Sequence, residues 1–392
     1  MNDEIFSAEP FVHDSLETGS RLKSRRSSAE WPAAQQLSSS ANPDIFVNGK
    51  RFSWRRTVKV APVVNSALSG GSDNITARDK HLSQAELAEK FERFQKMTLL
   101  DLAEALRPAM RVGNDEYVRS EPDVELAMMI RQSEGDELKK GSYAPDGAMT
   151  DSGVEQTDSS VRIARTIFGS DNRNHQHPHY DQPQRRQVVL QFAQLACSGT
   201  MIGTHTLVSA AHCFYSDVFG MWNTFQWGAA AADGDVPGTY PYGQFTCPGS
   251  AITIPTAWIT SPGDPMWDFA VIDTSQCNNN PWYSSGHMGW WVNAPVNLEL
   301  ISISGYPGSA LRCTWPQVCS HAGTDVTLPS SWRLSTSTID ITSGQSGTCW
   351  YRRYNFDYYC IGVQSGQNPS ANTGRRFDTT FYNFVDYYAP YF

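Results

Sequence analysis

Three short segments hold residues that together could transfer an acyl group. The first, Leu207-Val208-Ser209-Ala210-Ala211-His212-Cys213, sets an imidazole at the end of an apolar run. The second, Trp267-Asp268-Phe269-Ala270-Val271-Ile272, sets an acid at the mouth of another. The third, Thr342-Ser343-Gly344-Gln345-Ser346-Gly347, uses glycines to allow a sharp turn that exposes a serine hydroxyl. Singly these are ordinary. A histidine at a strand end usually packs, an aspartate before a strand usually caps, and Gly-x-Ser-Gly occurs in many loops. In the order His212, Asp268, Ser346 they supply a base, the group that orients it and a nucleophile.

Such chemistry needs rigid supports, and the sequence offers short β runs. Gln187 to Leu195, Gly199 to Ser209, Phe269 to Asp273, Leu298 to Ser304, Tyr359 to Gln364 and Arg376 to Phe381 read as strands, separated by Gly, Pro and Asn clusters. Many short strands at this spacing predict an antiparallel sandwich or barrel. Cys197 and Cys213 flank the histidine segment and are expected to close a bridge behind it. Cys349 with Cys360, Cys313 with Cys319 and Cys247 with Cys277 are possible further pairs, although eight cysteines allow many connectivities.

These segments resemble chymotrypsin-like serine peptidases, in particular the bacterial glutamyl endopeptidase branch. The likeness rests on Ser-Ala-Ala-His-Cys around His212, Asp-Phe-Ala-Val-Ile at Asp268 and Ser-Gly-Gln-Ser-Gly around Ser346. Ile303 to Gly308, Thr338 to Asp340 and Thr166 to Arg173 support it. It covers roughly residues 166–392. It implies an all-β fold of two six-stranded antiparallel β-barrels of the chymotrypsin type. It also implies a His212–Asp268–Ser346 triad, an oxyanion hole from the Gly344 and Ser346 N–H groups, and protein or peptide substrates without a metal or cofactor.

The family pattern breaks at several places. Trypsin-like enzymes place an aspartate just before the nucleophile to receive a new amino terminus; here Gln345 stands there. Glutamyl endopeptidases meet the substrate carboxylate with a histidine after the nucleophile and a threonine five residues before it. Those positions hold Gln364 and Ile341. Asp340 falls where trypsin keeps the acid that selects Arg or Lys, so a cut after Arg165 by the enzyme itself is conceivable. By this resemblance the substrate-binding candidates are Asp340, Ile341, Gln364, Ser365 and Gly366.

The front of the chain has another character. All eight Lys lie between Lys23 and Lys140, whereas all eight Cys and ten of the twelve Trp come later. Residues 1–75 are polar and Ser-rich and read as largely disordered. Residues 76–131 carry helix signals: Ser83 with Glu86, Thr98 with Asp101 ahead of Leu99 to Leu106, and Ser120 opening a third helix. Residues 132–165 read as a linker ending in Arg162-Ile163-Ala164-Arg165, an accessible site for proteolytic cleavage. The expected organisation is a propeptide-like region, 1–165, acting as an intramolecular partner of a peptidase domain, 166–392.

A net charge of −9 argues against a nucleic-acid partner. No stretch reaches the length of a membrane span. The even set of cysteines points to an oxidising compartment and hence secretion, although MNDEIFSAEP lacks the basic start and apolar run of an export signal. His175, His177 and His179 alternate, but Pro178 interrupts them and a solvated loop is the expectation. Two rival readings use the same residues: an esterase with this triad, and an inactive binding protein on the same fold.

Overall fold

The computed structural model describes residues 45–47, 50–56, 84–111, 116–132, 138–140 and, apart from short intervals, 167–388. The intervals are 176–182, 194, 217–219, 233–239, 262, 282–284, 298, 309–312, 314–315 and 369. His177, His179, Ser83 and the Arg162–Arg165 segment thus lie outside the described residues.

Two large sheets, antiparallel apart from the pairing of Gly289–Val292 with Asp357–Asn368, organise the described residues. In the first, Gln187–Phe192 pairs with Ala196–Met201 on one side and Phe225–Ala230 on the other. Thr206–Ser209 then joins Ala196–Met201 to Ala270–Asp273, which pairs onward with Ile252–Pro255. In the second, Cys349–Tyr354 lies between Ile301–Gly305 and Asp357–Asn368, and Ala371–Arg376 follows on the outer side. The apolar runs are buried on both faces, so no polar alternation marks them: Gln187–Phe192 is buried at all but one position. The expected run Gly199 to Ser209 divides into two strands, because Ile202 and Gly203 turn back on the Thr206 carbonyl.

The first sheet continues beyond the body into the front of the chain. It has eleven strands, four of them from the front of the chain: Ile45–Val47, Lys50–Arg56, Pro108–Arg111 and Glu116–Ser120. The Pro108–Arg111 strand adds to the edge of Ile252–Pro255, with Ala109 opposite Ile254. The front unit is therefore a mixture of helices and strands. Helices Gln84–Lys96 and Leu99–Ala105 fall where the spacing predicts them, and Thr98 and Asp101 form the capping box. The third helix is Val124–Gln132, and Asp123, not Ser120, accepts the Leu126 N–H at its start. Ser120 instead ends the strand Glu116–Ser120. Within the expected linker, Leu138–Lys140 pairs with Gly289–Val292.

Arg376 to Phe381 also departs from expectation. The strand Ala371–Arg376 ends there, and Thr379–Tyr388 is a helix. Asp378 switches the chain by accepting the Phe381 N–H, and Phe381, Phe384, Val385 and Tyr388 then recur at helical spacing. That helix positions the site from below. Phe381 and Phe384 meet Phe269, the residue after Asp268, edge-on at centroid distances of 5.4 and 5.1 Å. The buried Arg375 guanidinium ties the arrangement together, donating to Met266 O at 2.6 Å and Asp378 Oδ1 at 2.9 Å while lying over the Phe269 ring.

All eight cysteines pair: Cys197–Cys213, Cys247–Cys277, Cys313–Cys319 and Cys349–Cys360. The second bridge encloses Asp268, and the fourth closes the hairpin beyond Ser346.

Candidate active site

Strand register brings His212 and Asp268 together. Ala270 pairs with Ser209 and Val271 with Val208. Just beyond the paired ends of these strands, Asp268 lies beside His212. The contact is close: Asp268 Oδ1 accepts the His212 backbone N–H at 2.9 Å, and Oδ2 lies 2.8 Å from His212 Nδ1. Asp268 is 2 % exposed. A buried carboxylate is tolerable only when its lone pairs are used. Here a third donor, Ser365 Oγ, completes the set at 2.6 Å from Oδ2. With Nδ1–H donated to the carboxylate, Nε2 is the ring nitrogen that carries the lone pair.

Ser346 sits in a turn clamped onto the histidine-bearing segment. Its carbonyl accepts the Ser198 N–H at 2.8 Å, and Ser198 Oγ donates to Gly344 O at 2.8 Å. Ser209 Oγ in turn donates to Ser198 O. Cys213 Sγ, in the bridge adjoining His212, lies 3.9 Å from Ser346 O. The residue is half-buried. The two glycines are required by conformation, with φ of +91° at Gly344 and +83° at Gly347. A Cβ on Gly344 would strike Gly308 N and Tyr306 O, and one on Gly347 would strike Ser209 Oγ and Ser198 O.

The same turn orients the expected oxyanion donors. Gly308 N–H donates to Ser343 O at 2.7 Å. In a planar trans peptide the C=O and N–H point in opposite directions, so the Gly344 N–H is aimed away from Gly308. Gln345 N–H is used by Thr342 O. Among the described residues neither the Gly344 nor the Ser346 N–H donates to a neighbour.

Gln345 is held from the 167–173 segment. Arg173, with no exposed surface, donates through Nη1 to Gln345 Oε1 at 3.0 Å and to Thr342 Oγ1 at 2.5 Å. Asp171 balances its charge through Nη2 at 2.8 Å and Nε at 2.9 Å. Where trypsin-like enzymes pair an aspartate with an amino terminus, this chain pairs an amide with an internal guanidinium.

The expected pocket residues take varied positions. Asp340 is 1 % exposed; Oδ1 accepts the Phe168 N–H at 2.7 Å and Oδ2 the Asn172 N–H at 2.8 Å, with His321 Nδ1 3.5 Å away. Burial pushes this carboxyl up, against the pull of the Asn172 and Phe168 N–H groups and of His321. Burial likewise holds His321 below its ordinary value. Ile341 packs in the apolar cluster with Trp291 and Ile361. Gln364 Oε1 accepts from Trp350 Nε1 at 3.0 Å, and its Nε2 donates to Gly366 O at 2.7 Å. Ser365 is the extra residue of a bulge: Gln364 pairs with Gly374 and Gly366 with Thr373. The bulge re-aims its hydroxyl toward Asp268.

Sequence reasoning missed the parts played by Ser198, Gly308, Arg173 and His321. Arg173 was visible only within a matching stretch, since a partner 172 residues away leaves no local signal. The Ser365 bulge has no local signal either.

Cys197, His212 and Cys213 place their ligand atoms within 4.8 Å of one another. Both sulfurs belong to one disulfide, so neither is a thiolate able to hold a metal.

Part of the chain is similar to known proteins. The Trypsin family model matches residues 173–240. A glutamyl endopeptidase from Bacillus licheniformis is 27% identical over 199 residues, covering 50% of this chain and 58% of that protein. The chain thus spans less than two thirds of that relative. A Bacillus subtilis protein named extracellular metalloprotease is 26% identical over 235 residues, covering 57% of this chain and 70% of that protein. Among solved structures, a Glu endopeptidase in complex with MPD is 24% identical with a TM-score of 0.49, covering 57% of this chain and 98% of that one. Residues 173–240 thus match the Trypsin family model, and the chain is similar in sequence to a glutamyl endopeptidase.

Proposed function

We propose that the chain is a serine endopeptidase with His212, Asp268 and Ser346 as its triad. One observation carries this reading: a buried aspartate accepts three hydrogen bonds, two of them from His212, while the Ser346 turn is tied to the same segment. In the reaction the Ser346 hydroxyl attacks the peptide carbonyl and its proton passes to His212 Nε2. Asp268 holds the imidazole in the tautomer that accepts it. The Gly344 and Ser346 N–H groups stabilise the oxyanion. His212 returns the proton to the leaving amine, and water hydrolyses the acyl-enzyme.

The chain acts as a precursor cut near Arg165, which frees a segment beginning near Thr166. Asp340 then anchors that segment through Phe168 and Asn172 and does not select Arg or Lys, because both of its oxygens are already used. Preference for Glu is weak, since the Gln364 amide is held by Trp350 and Gly366 and Ile341 lies in the core. Four disulfides support secretion. Among the described residues no helix is long and apolar enough to cross a membrane.

A peptide library read by mass spectrometry tests the reading. Cleavage by the parent and none by Ser346→Ala supports it, and the residues before the cuts give the preference. Cleavage of small esters without peptides would favour the esterase. No turnover of either would favour the inactive binding protein.

A further inference from the structure

Most of the front unit's contacts among the described residues lie behind the strand that follows Asp268, with Leu138–Lys140 reaching Gly289–Val292 in the second sheet. Pro108–Arg111 extends the sheet through Ile252–Pro255, and that strand pairs with Ala270–Asp273. Arg107 O accepts both the Thr256 N–H at 2.7 Å and the Thr256 hydroxyl at 2.6 Å. Leu102, Leu106, Ala109, Leu126 and Ile130, none more than 1 % exposed, share one continuous core with Trp258, Phe269 and Phe384.

The unit also reaches the loop that carries the acid. Phe94, 5 % exposed, meets Trp267 edge-on at 6.1 Å, and Trp267 is covalently joined to Asp268. Lys90 Nζ lies 3.2 Å from Asp264 Oδ2. Asp264 caps the turn Pro265–Trp267 by accepting the Met266 N–H. At the far end, the helix Val124–Gln132 packs against the C-terminal helix Thr379–Tyr388, so the unit also grips that helix.

Resting on the reading of a cleaved precursor, we propose that the segment 84–140 stays bound after cleavage and serves as a positioning element for Asp268. A strand sharing a ladder and a dry core with its neighbour leaves only at the cost of exposing both. The body therefore takes this segment as a permanent partner by strand addition, with Phe94 as the side chain that fixes Trp267. The mature enzyme is then two chains, and loss of the front segment lowers activity where loss of an occluding propeptide would raise it.

Two measurements test this. In a full-length Ser346→Ala background, where self-digestion plays no part, a site for a rare-cutting protease is inserted within residues 150–160. After the cut, the two fragments are expected to co-elute as one species on native size exclusion and to separate in denaturant. Elution of a folded 166–392 body alone would overturn the proposal, and this outcome is independent of catalysis. In the active parent, Phe94→Ala is expected to lower kcat about tenfold at a temperature where near-UV circular dichroism shows it folded, with KM little changed. Phe94→Tyr, which keeps the ring, should restore most of the loss. An unchanged kcat in folded Phe94→Ala would overturn the positioning role.

Discussion

The Arg173 guanidinium, fully buried, holds the Gln345 side-chain carbonyl at 3.0 Å, one residue before Ser346. It comes from within the chain, so the Ser346 turn is secured by a residue already present before any cut at Arg165. The turn in trypsin-like enzymes waits for a new amino terminus. This one is expected to be formed in the uncut protein as well.

Replacing Arg173 should therefore affect both stability and turnover. Arg173→Met leaves Asp171 and Gln345 without their partner, a loss of about 3 kcal/mol by comparison with other broken buried pairs. At temperatures where the variant is folded, kcat should fall more than KM rises, because the oxyanion donors flank Gln345. Thermal unfolding and steady-state kinetics check both. A variant losing stability but keeping kcat would confine Arg173 to a structural role.

Gly344→Ala should be among the most damaging small changes near the site. The added methyl meets Gly308 N and Tyr306 O, and the residue must hold φ at +91°. Loss of one aligned oxyanion donor lowers kcat by about 10² to 10³. Retained kcat would mean that the 343–344 peptide does not orient an oxyanion donor.

Ser365→Ala removes one of three donors to Asp268 while leaving both His212 contacts. A hydrogen bond to a charged group contributes about 1.5 to 3 kcal/mol. The predicted result is a drop in kcat of about tenfold or more with KM preserved, and partial recovery in Ser365→Thr. Rapid-mixing kinetics on an ester substrate would separate this from a binding defect.

His287 gives a pH prediction. Burial holds its imidazole below the ordinary value of 6.5; Met288 O pulls the other way, and Arg186 adds to the lowering. A depressed folded value means that the stability is fully present above 6.5, the unfolded value, and is lost as pH falls through the folded value. Melting temperature should decline as the solution is acidified below about 6.5, and His287→Gln should flatten that decline. Parallel curves for parent and variant would show that His287 does not contribute.

The chemistry of the site was more legible in the sequence than its supports. His212, Asp268 and Ser346 stand beside strongly apolar or glycine-rich runs, which are local signals. The capping box at Thr98 and Asp101 was equally local. Contacts across the chain left no such trace. Arg173 finds Gln345 across 172 positions, and Asp340 meets Phe168 across the same distance. The strand Pro108–Arg111 was hidden because Pro108 reads as a helix stop, whereas the first position of a strand tolerates it. The final helix was misread because its aromatic content favours strands, and only Asp378 and the spacing from Phe381 to Tyr388 indicate the switch.

The central claim is that Ser346 is a nucleophile activated by His212. Its most direct test is labelling with a fluorophosphonate, whose phosphorus is attacked by an activated serine with departure of fluoride. Mass spectrometry of the parent should find one adduct, on Ser346. His212→Ala should label far more slowly, and Ser346→Ala not at all. A folded parent that takes no label at Ser346, or labels equally well without His212, would contradict the account.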